Sequence, residues 1–288
     1  MKTGEDSWLY TITSEKKLID FNFKEIWQYR DLLFLFVKRD IVTLYKQTIL
    51  GPLWYLIQPL FTSVIFTLVF NNLGQIKTGS IDPFLFNLTG ITLWNYFKEC
   101  LTGTSNTFTK NQNIFGKVYF PRVIMPMSVT ISNLVKFGIQ LLILIGFYLY
   151  FLGRGDDLIL NYKYLALFPV YIIMMALLGL GLGMLLSAMT TKYRDLTVLI
   201  SFGVQLLMYV SAVPYPLREA REKFPSFVAN LVEYNPLSQI IEGFRFIVIN
   251  EGSIETHKMI FTFVLCIVMF LLGLIIFNKT EKSFIDTV

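Results

Sequence analysis

Side chains able to run chemistry are few in this sequence, and they are scattered. His257 is the single histidine, and the two cysteines, Cys100 and Cys266, lie in or beside apolar runs. That set is too thin for a soft-ligand metal site, and its setting argues against a disulfide framework. The one Gly-Lys pair, Gly116-Lys117, is followed by Val118 rather than Ser or Thr, so no P-loop is present. Neither G-x-S-x-G nor H-E-x-x-H occurs, and no carboxylate pair falls inside an apolar run. A membrane hydrolase or a proton-coupled carrier working alone would need such groups. The expectation is a chain with no catalytic residue, no metal and no bound cofactor of its own.

The chemistry left is recognition. Gln58 and Gln205 are amides embedded in apolar sequence, and a buried amide is costly unless it is bonded. They should face the protein interior or a wet path. Trp54, Phe61 and Tyr209 accompany them. Aromatic faces beside amide donors suit sugar rings, which stack through C–H faces and need partners for their hydroxyls. For any single one of these residues, helix packing or an interfacial belt is the better account.

Composition says what positions them. Of 288 residues, 54% are hydrophobic, 16% aromatic and 16% charged. Soluble domains run to about 45–50% apolar and about 25% charged. So few charges could not cover so much apolar surface, which points to an integral membrane protein. The net charge of +5 fits Lys and Arg gathered on cytoplasmic loops, and no nucleic-acid partner is expected.

The fold class expected is all-α integral membrane. Residues 1–51 form a cytoplasmic N-terminal region, and 52–288 a six-helix transmembrane domain with spans at about 53–73, 83–103, 131–152, 164–189, 196–213 and 258–277. The second is the weakest, interrupted by Asn87, Asn95, Lys98 and Glu99. No cleavable signal peptide is expected at the start. Sixteen of the 25 Lys and Arg fall on the side that carries both termini, which places the termini in the cytoplasm. Lys136, in the third run, is expected to snorkel in the inner leaflet.

Four segments outside the spans could meet partners. Asn22 to Leu50 reads as one amphipathic helix, opened by an Asn22/Glu25 capping box and broken by Gly51-Pro52. It would lie on the membrane surface, either as an anchor or as a docking surface. The loop Lys110 to Arg122 is basic and aromatic; an exposed Ile114, Val118, Tyr119 and Phe120 could plug a groove on another protein, or form an interfacial belt. Arg194 and Asp195, in the short loop Lys192–Asp195, could pair locally or touch the same partner. The outer region 214–252 should hold two short re-entrant helices. One begins at Pro225. The other is capped by Asn235 with Pro236 at its first position, and Glu242 and Arg245 pair on its polar side. That region reads as a gate or as a plain interfacial hairpin. Gly179, Gly181 and Gly183 read as close helix packing.

The stretches YRDLLFLFVKRDIVTLYKQTILGPLWYLIQPL (Tyr29 to Leu60), KVYFPRVIMPM (Lys117 to Met127), KYRD (Lys192 to Asp195) and NPLSQIIEGFR (Asn235 to Arg245) resemble the permease subunits of ABC-2 type ABC transporters. The likeness is to the polysaccharide exporters for O-antigen, capsule and teichoic acid. It implies a homodimeric channel in the bacterial inner membrane, with two copies of a separate ABC ATPase holding ATP and Mg. It implies membrane lipids around it and a lipid-linked polysaccharide as substrate. By that likeness Glu25, Trp27, Arg30, Arg39 and Asp40, with Lys117, Tyr119, Phe120, Pro121 and Arg122, belong to the ATPase-coupling surface. Trp54, Gln58, Phe61, Gln205 and Tyr209 line the channel. Phe224 to Asn250, including Asn235, Pro236, Glu242 and Arg245, forms the outer gate.

Three other readings stay open on sequence alone. One is an ABC-2 permease for a drug or small lipid. Another is an integral-membrane transferase acting on lipid-linked sugar, for which Asp156-Asp157 and Glu242 are the thin acid/base candidates. The third is a channel or carrier working alone.

Overall fold

Asp82 accepts a hydrogen bond from the Phe84 amide at 2.8 Å, with Pro83 behind it, and this cap starts the helix at the centre of the molecule. The computed structural model describes residues 23–46, 51–115, 120–193 and 195–285. Every described element is helical. In chain order they are α1 (Phe23–Gln28), α2 (Arg30–Lys46), a 3-10 turn Gly51–Leu53, and α3 (Trp54–Phe66), continued by π-helical turns Thr67–Leu73. Next come α4 (Pro83–Ser105), α5 (Thr107–Phe115), α6 (Ile124–Arg154), and a 3-10 segment Tyr162–Leu167 that runs into α7 (Phe168–Lys192). The last are α8 (Leu196–Val210), α9 (Leu217–Lys223), α10 (Ser226–Glu233), α11 (Pro236–Ile249) and α12 (Thr256–Ile285).

Four of the six expected spans are long and apolar enough to cross a membrane: Trp54–Leu73, Ile124–Arg154, Tyr162–Lys192 and Thr256–Thr280. The other two differ for separate reasons. α4 has 23 residues but carries Asn87, Thr89, Thr92, Asn95, Lys98 and Glu99. It packs against α3, α6, α7 and α11, and every residue from Leu85 to Trp94 is buried. A helix covered by protein need not be apolar toward lipid. α8 has 15 residues, about 22 Å at 1.5 Å per residue, short of the roughly 30 Å hydrocarbon core. The third span also begins earlier than the apolar run, at Ile124, because Ser128, Thr130, Ser132 and Asn133 are buried on its protein-facing side.

The expected single N-terminal helix is two, broken at Tyr29, although the Tyr29 and Leu33 amides still bond back to the Glu25 and Tyr29 carbonyls at 3.1 Å. Asn22 lies outside the described residues. Gly51 takes a left-handed φ of +48°, as the break before the first span requires.

The glycine-rich turn of α7 is what lets three helices meet. A Cβ on Gly179 would lie 2.9 Å from the Cys100 Cβ, and one on Gly183 2.6 Å from the Thr104 Cβ, both on α4. Gly181 points the other way, 2.7 Å from the Met269 carbonyl and the Phe270 backbone of α12. Gly273 returns the contact against the Gly181 backbone. Small residues at i and i+4 allow such backbone approach between membrane helices. Cys100 and Cys266 are both free and buried.

Two apolar clusters occupy opposite ends of α7 and α12. The larger one gathers α4, the first half of α7 and α11. The smaller one gathers Leu33 and Phe36 of α2, Phe108 and Phe115 of α5, and Leu274 and Phe277 of α12. The N-terminal helices and the 214–252 region are therefore at opposite ends of the bundle.

Candidate functional site

At the α2 end, a series of ring contacts runs across the bundle. Phe277 stacks on Phe108 at 4.6 Å, Phe108 meets Phe115 at 5.8 Å, Phe115 meets Phe120 at 5.9 Å, and Phe120 meets Phe36 at 5.7 Å. All five rings are buried. Phe120, expected to be exposed, is 3% exposed because its ring packs between Phe36 of α2 and Phe115 of α5. Ile114 is half-buried. Arg122 is buried too, its guanidinium 5.0 Å from the Phe115 ring centre. Pro121 is half-buried and its carbonyl accepts from the Ile124 amide at 3.0 Å.

On α2, Arg39 donates from Nε and Nη2 to Asp40 Oδ1 at 2.9 and 2.8 Å and sits 4.9 Å from the Phe36 ring. That pair ties the surface charges to the buried series. Trp27 is exposed, with Arg30 5.5 Å from its ring, and Glu25 is half-buried on the same short helix. Asp195 is exposed at the head of α8. Lys117, Tyr119 and Arg194 lie outside the described residues. The structure thus brings together Arg39, Asp40, Phe120 and Arg122, and leaves Trp27 and Asp195 on the surface.

Along the bundle, α3 and α8 each present an open face. Trp54, Gln58 and Phe61 are exposed on α3, and Gln205 and Tyr209 on α8. The two helices touch where Tyr209 meets Phe66 at 6.4 Å and Phe70 at 6.2 Å. The amides were expected to face protein interior or a wet path; within one chain they face outward. Gln58 also borders a polar recess between α3, α4 and α6, with Tyr55, Asn95, Glu99 and Gln140. In that recess Lys136 Nζ lies 3.1 Å from Glu99 Oε2 and 5.2 Å from the Tyr55 ring centre. Lys136 was expected to snorkel in the inner leaflet; its ammonium pairs with a carboxylate of α4, which satisfies it by a charge-assisted contact. Neither Glu99 nor the recess was foreseen. A pairing across 37 positions leaves no local signal.

At the far end, three short helices stand where two were expected. Asn235 caps α11 by accepting from the Leu237 amide at 3.0 Å, with Pro236 at its first position. Its Nδ2 donates to the Val210 carbonyl at 3.0 Å and to Ser211 Oγ at 3.1 Å, fastening α11 to the end of α8. Phe224 packs edge-on against Tyr215 at 5.2 Å. Glu242 and Arg245 were expected to pair on a polar side. There is no polar side: α11 is inserted among α4, α7 and α12, and both residues are buried. Arg245 is fully enclosed. It donates from Nη1 to the Ala212 carbonyl at 2.8 Å and from Nη2 to the Val213 carbonyl, and it lies 3.7 Å from the Phe86 ring centre. A side chain on Gly90 would collide with its Nη2.

Glu242 is left without that arginine. Burial pushes its carboxyl up to about 7, against the pull of Arg245. Its neighbour Glu251 is also raised by burial. Glu233 moves the opposite way, lowered by hydrogen bonds from Arg221 at 2.7 and 2.8 Å and from Lys258 at 2.6 Å. Glu255 is lowered likewise by Lys258.

Residues 31–249 match the family model described as ABC-2 type transporter. Two proteins of Klebsiella pneumoniae named O-antigen export system permease protein RfbA are each 25% identical over 256 residues, 89% of this chain and 94% of theirs. A protein of the same name from Myxococcus xanthus is 22% identical over 265 residues, 92% of this chain and 98% of its own. With most of its length inside that match, the chain belongs to the ABC-2 type transporter family.

Proposed function

We propose that this chain is the permease subunit of an inner-membrane ABC exporter for a lipid-linked polysaccharide. The reading is supported by the printed names of its relatives, which are O-antigen export permeases, and by the absence of a P-loop from its own sequence. The observation that carries it is the open face of α3 and α8. Trp54, Phe61 and Tyr209 stand exposed there beside Gln58 and Gln205. The same helices also expose Val64, Ile65, Val198, Leu199 and Phe202; the two amides are the positions unsuited to lipid, because an amide in hydrocarbon has no partner. The face is suited to a hydrated sugar chain passing between two copies.

The working arrangement has α4 and α8 completing six crossings. α4 is shielded by its neighbours, and α8 is lengthened by the sheltered backbone of 211–216. Both termini lie in the cytoplasm. Two ATPase subunits, holding ATP and Mg, dock beneath α1, α2 and the segment Lys110 to Arg122, whose first part is the end of α5. Closure of the ATPase pair moves α2. Phe36 presses on Phe120, and the ring series carries that displacement to α12. The rearranged copies part along α3 and α8, and aromatic faces and amides exchange contacts with successive sugars. Many weak contacts let the polymer slide.

Deletion of the gene in its host tests the reading. Surface polysaccharide should disappear while lipid-linked glycan accumulates on the cytoplasmic side, and plasmid-borne wild type should restore it. The full chain should also co-purify with a P-loop ATPase. Unchanged surface glycan after deletion would sink the proposal.

A further inference from the structure

A cleft of about 340 Å³ opens at the α9–α11 end of the molecule. That is at the lower end of the roughly 300–1,000 Å³ of small-molecule pockets. Its walls are the start of α9, one side of α11, and the turn Asn250–Ser253.

The turn is built to hold two carboxylates in place. Gly252, at φ +107°, faces Glu242: a Cβ there would be 2.9 Å from its Cδ and Oε1. Gly79, at φ +70°, faces Glu251, whose carboxylate a Cβ would overlap. Any side chain at either position would be strained by its backbone and would push a carboxylate aside. Asn161 holds the turn itself, donating from Nδ2 to Asn250 Oδ1 and to the Phe246 carbonyl, both at 2.6 Å.

The charges divide into spent and unspent. Arg221 is taken by Glu233, Glu255 by Lys258, and Arg245 by the Ala212 and Val213 carbonyls. Glu242 is 5% exposed, and its Oε2 has no hydrogen-bond partner. The carboxyl takes one backbone hydrogen bond, from Leu217; an acceptor oxygen left empty costs free energy that a donor reaching it would recover. Glu251, half-buried, and Arg218, exposed on the rim, border the same space.

Those three groups select the ligand. Glu251, and Glu242 in its ionised form, repel phosphate and other anions. Arg218, the unspent arginine, opposes an organic cation, and among the described residues no cluster of His, Cys, Asp and Glu could hold a metal ion. Neighbouring hydroxyls on a neutral ring donate to a carboxylate in pairs and accept from a guanidinium. We infer that the cleft is an exit-side subsite for one neutral pyranose residue of the exported glycan. This rests on the export reading above and adds to it a place where the emerging chain is held.

The test uses the full chain in nanodiscs, with methyl α-D-glucopyranoside, methyl α-D-mannopyranoside and methyl α-L-rhamnopyranoside as probes in saturation-transfer NMR titrations. At least one probe should bind, with Kd raised tenfold or more in Glu242→Gln and Glu251→Gln, and several-fold in Arg218→Ala. Ser253→Trp, at an exposed lining position, should abolish binding by filling the cleft. If Glu242→Gln fails to fold, Glu251→Gln and Ser253→Trp carry the test. No saturation transfer from any probe, or equal affinity in all variants, overturns the subsite. So does displacement of the probe by phosphate or by Mg²⁺ at matched ionic strength. Surface glycan in the deletion strain is scored separately, so loss of the subsite and loss of the export reading give different results.

Discussion

Lys136 Nζ sits 3.1 Å from Glu99 Oε2, joining α6 to α4 across the polar recess beside α3. The pair is asymmetric: the Lys136 side chain is 15% exposed and the Glu99 side chain 39%. Removing the carboxylate leaves an ammonium in the membrane, with only the Tyr55 ring and nearby amides for company. Glu99→Gln should therefore cost about 2 kcal/mol, between the values for exposed and fully buried pairs. Lys136→Met should cost less, because it leaves the more exposed partner. The swap Lys136→Glu with Glu99→Lys should recover part of the loss. A double-mutant cycle on unfolding midpoints in detergent checks this; additive single effects would show the two charges to be independent.

The glycines of the bundle divide into two groups. Gly181→Ala or Gly273→Ala forces the backbones of α7 and α12 apart, and overpacking of this kind costs about 1–3 kcal/mol. Gly138 and Gly146 of α6 have nothing within 4 Å of an added Cβ. Their alanine variants should be neutral or more stable by up to about 1 kcal/mol, since helical glycine is entropically costly. Thermal unfolding of the four variants side by side makes the comparison.

The glycine packing was legible in the sequence because i, i+4 spacing is a local signal. The cap at Asn235 and the break at Gly51-Pro52 belong to the same class. What escaped was partnership across the chain. Arg245 looked like half of an i, i+3 pair, yet it serves carbonyls more than 30 positions away. Phe120 looked like an exposed plug because a loop composition cannot reveal that α2 will cover it. The second span looked weak for the same reason: a hydropathy window assumes lipid on all sides, and α4 meets protein. The exposed amides Gln58 and Gln205 were noticed, but a single sequence does not say which surface of a helix will be left open.

Glu242 gives a pH dependence whose sign follows from its environment. Its folded carboxyl is raised to about 7, above the unfolded carboxylate range near 4.3. The native state therefore holds a proton that the unfolded state has released. Stability from this group is complete below about pH 4.3 and declines as pH rises through about 7, by roughly 3–4 kcal/mol in all. The surrounding charges are Arg245, Arg221 and Glu251, the last raised in the same direction. Glu233 and Glu255, with lowered values, act oppositely, but only toward acid. Between pH 5.5 and 8, wild type should lose stability and Glu242→Gln should show a flatter profile. Equal slopes in the two proteins would contradict the assignment.

The ring series from Phe277 to Phe36 makes a separable claim about coupling. Phe120 is its narrowest link: it is the described residue that joins α2 to the rings beneath it. Phe120→Ala removes both contacts at once and opens a void under α2, a change that costs about 3–5 kcal/mol in a closed core. At this edge of the bundle the cost should be confined to the seating of α2, leaving α4, α7 and α12 packed. The expected phenotype is a chain that inserts and co-purifies with its ATPase, with glycan export reduced at least tenfold and ATP hydrolysis no longer responding to substrate. Phe120→Leu keeps most of the volume and should retain export. Arg122→Glu, placed beside the Phe115 ring, should resemble Phe120→Ala. The measurement is ATPase activity and surface glycan in the same strains. Normal export from Phe120→Ala, with the ATPase bound, would show that movement of α2 reaches the transport path by another route.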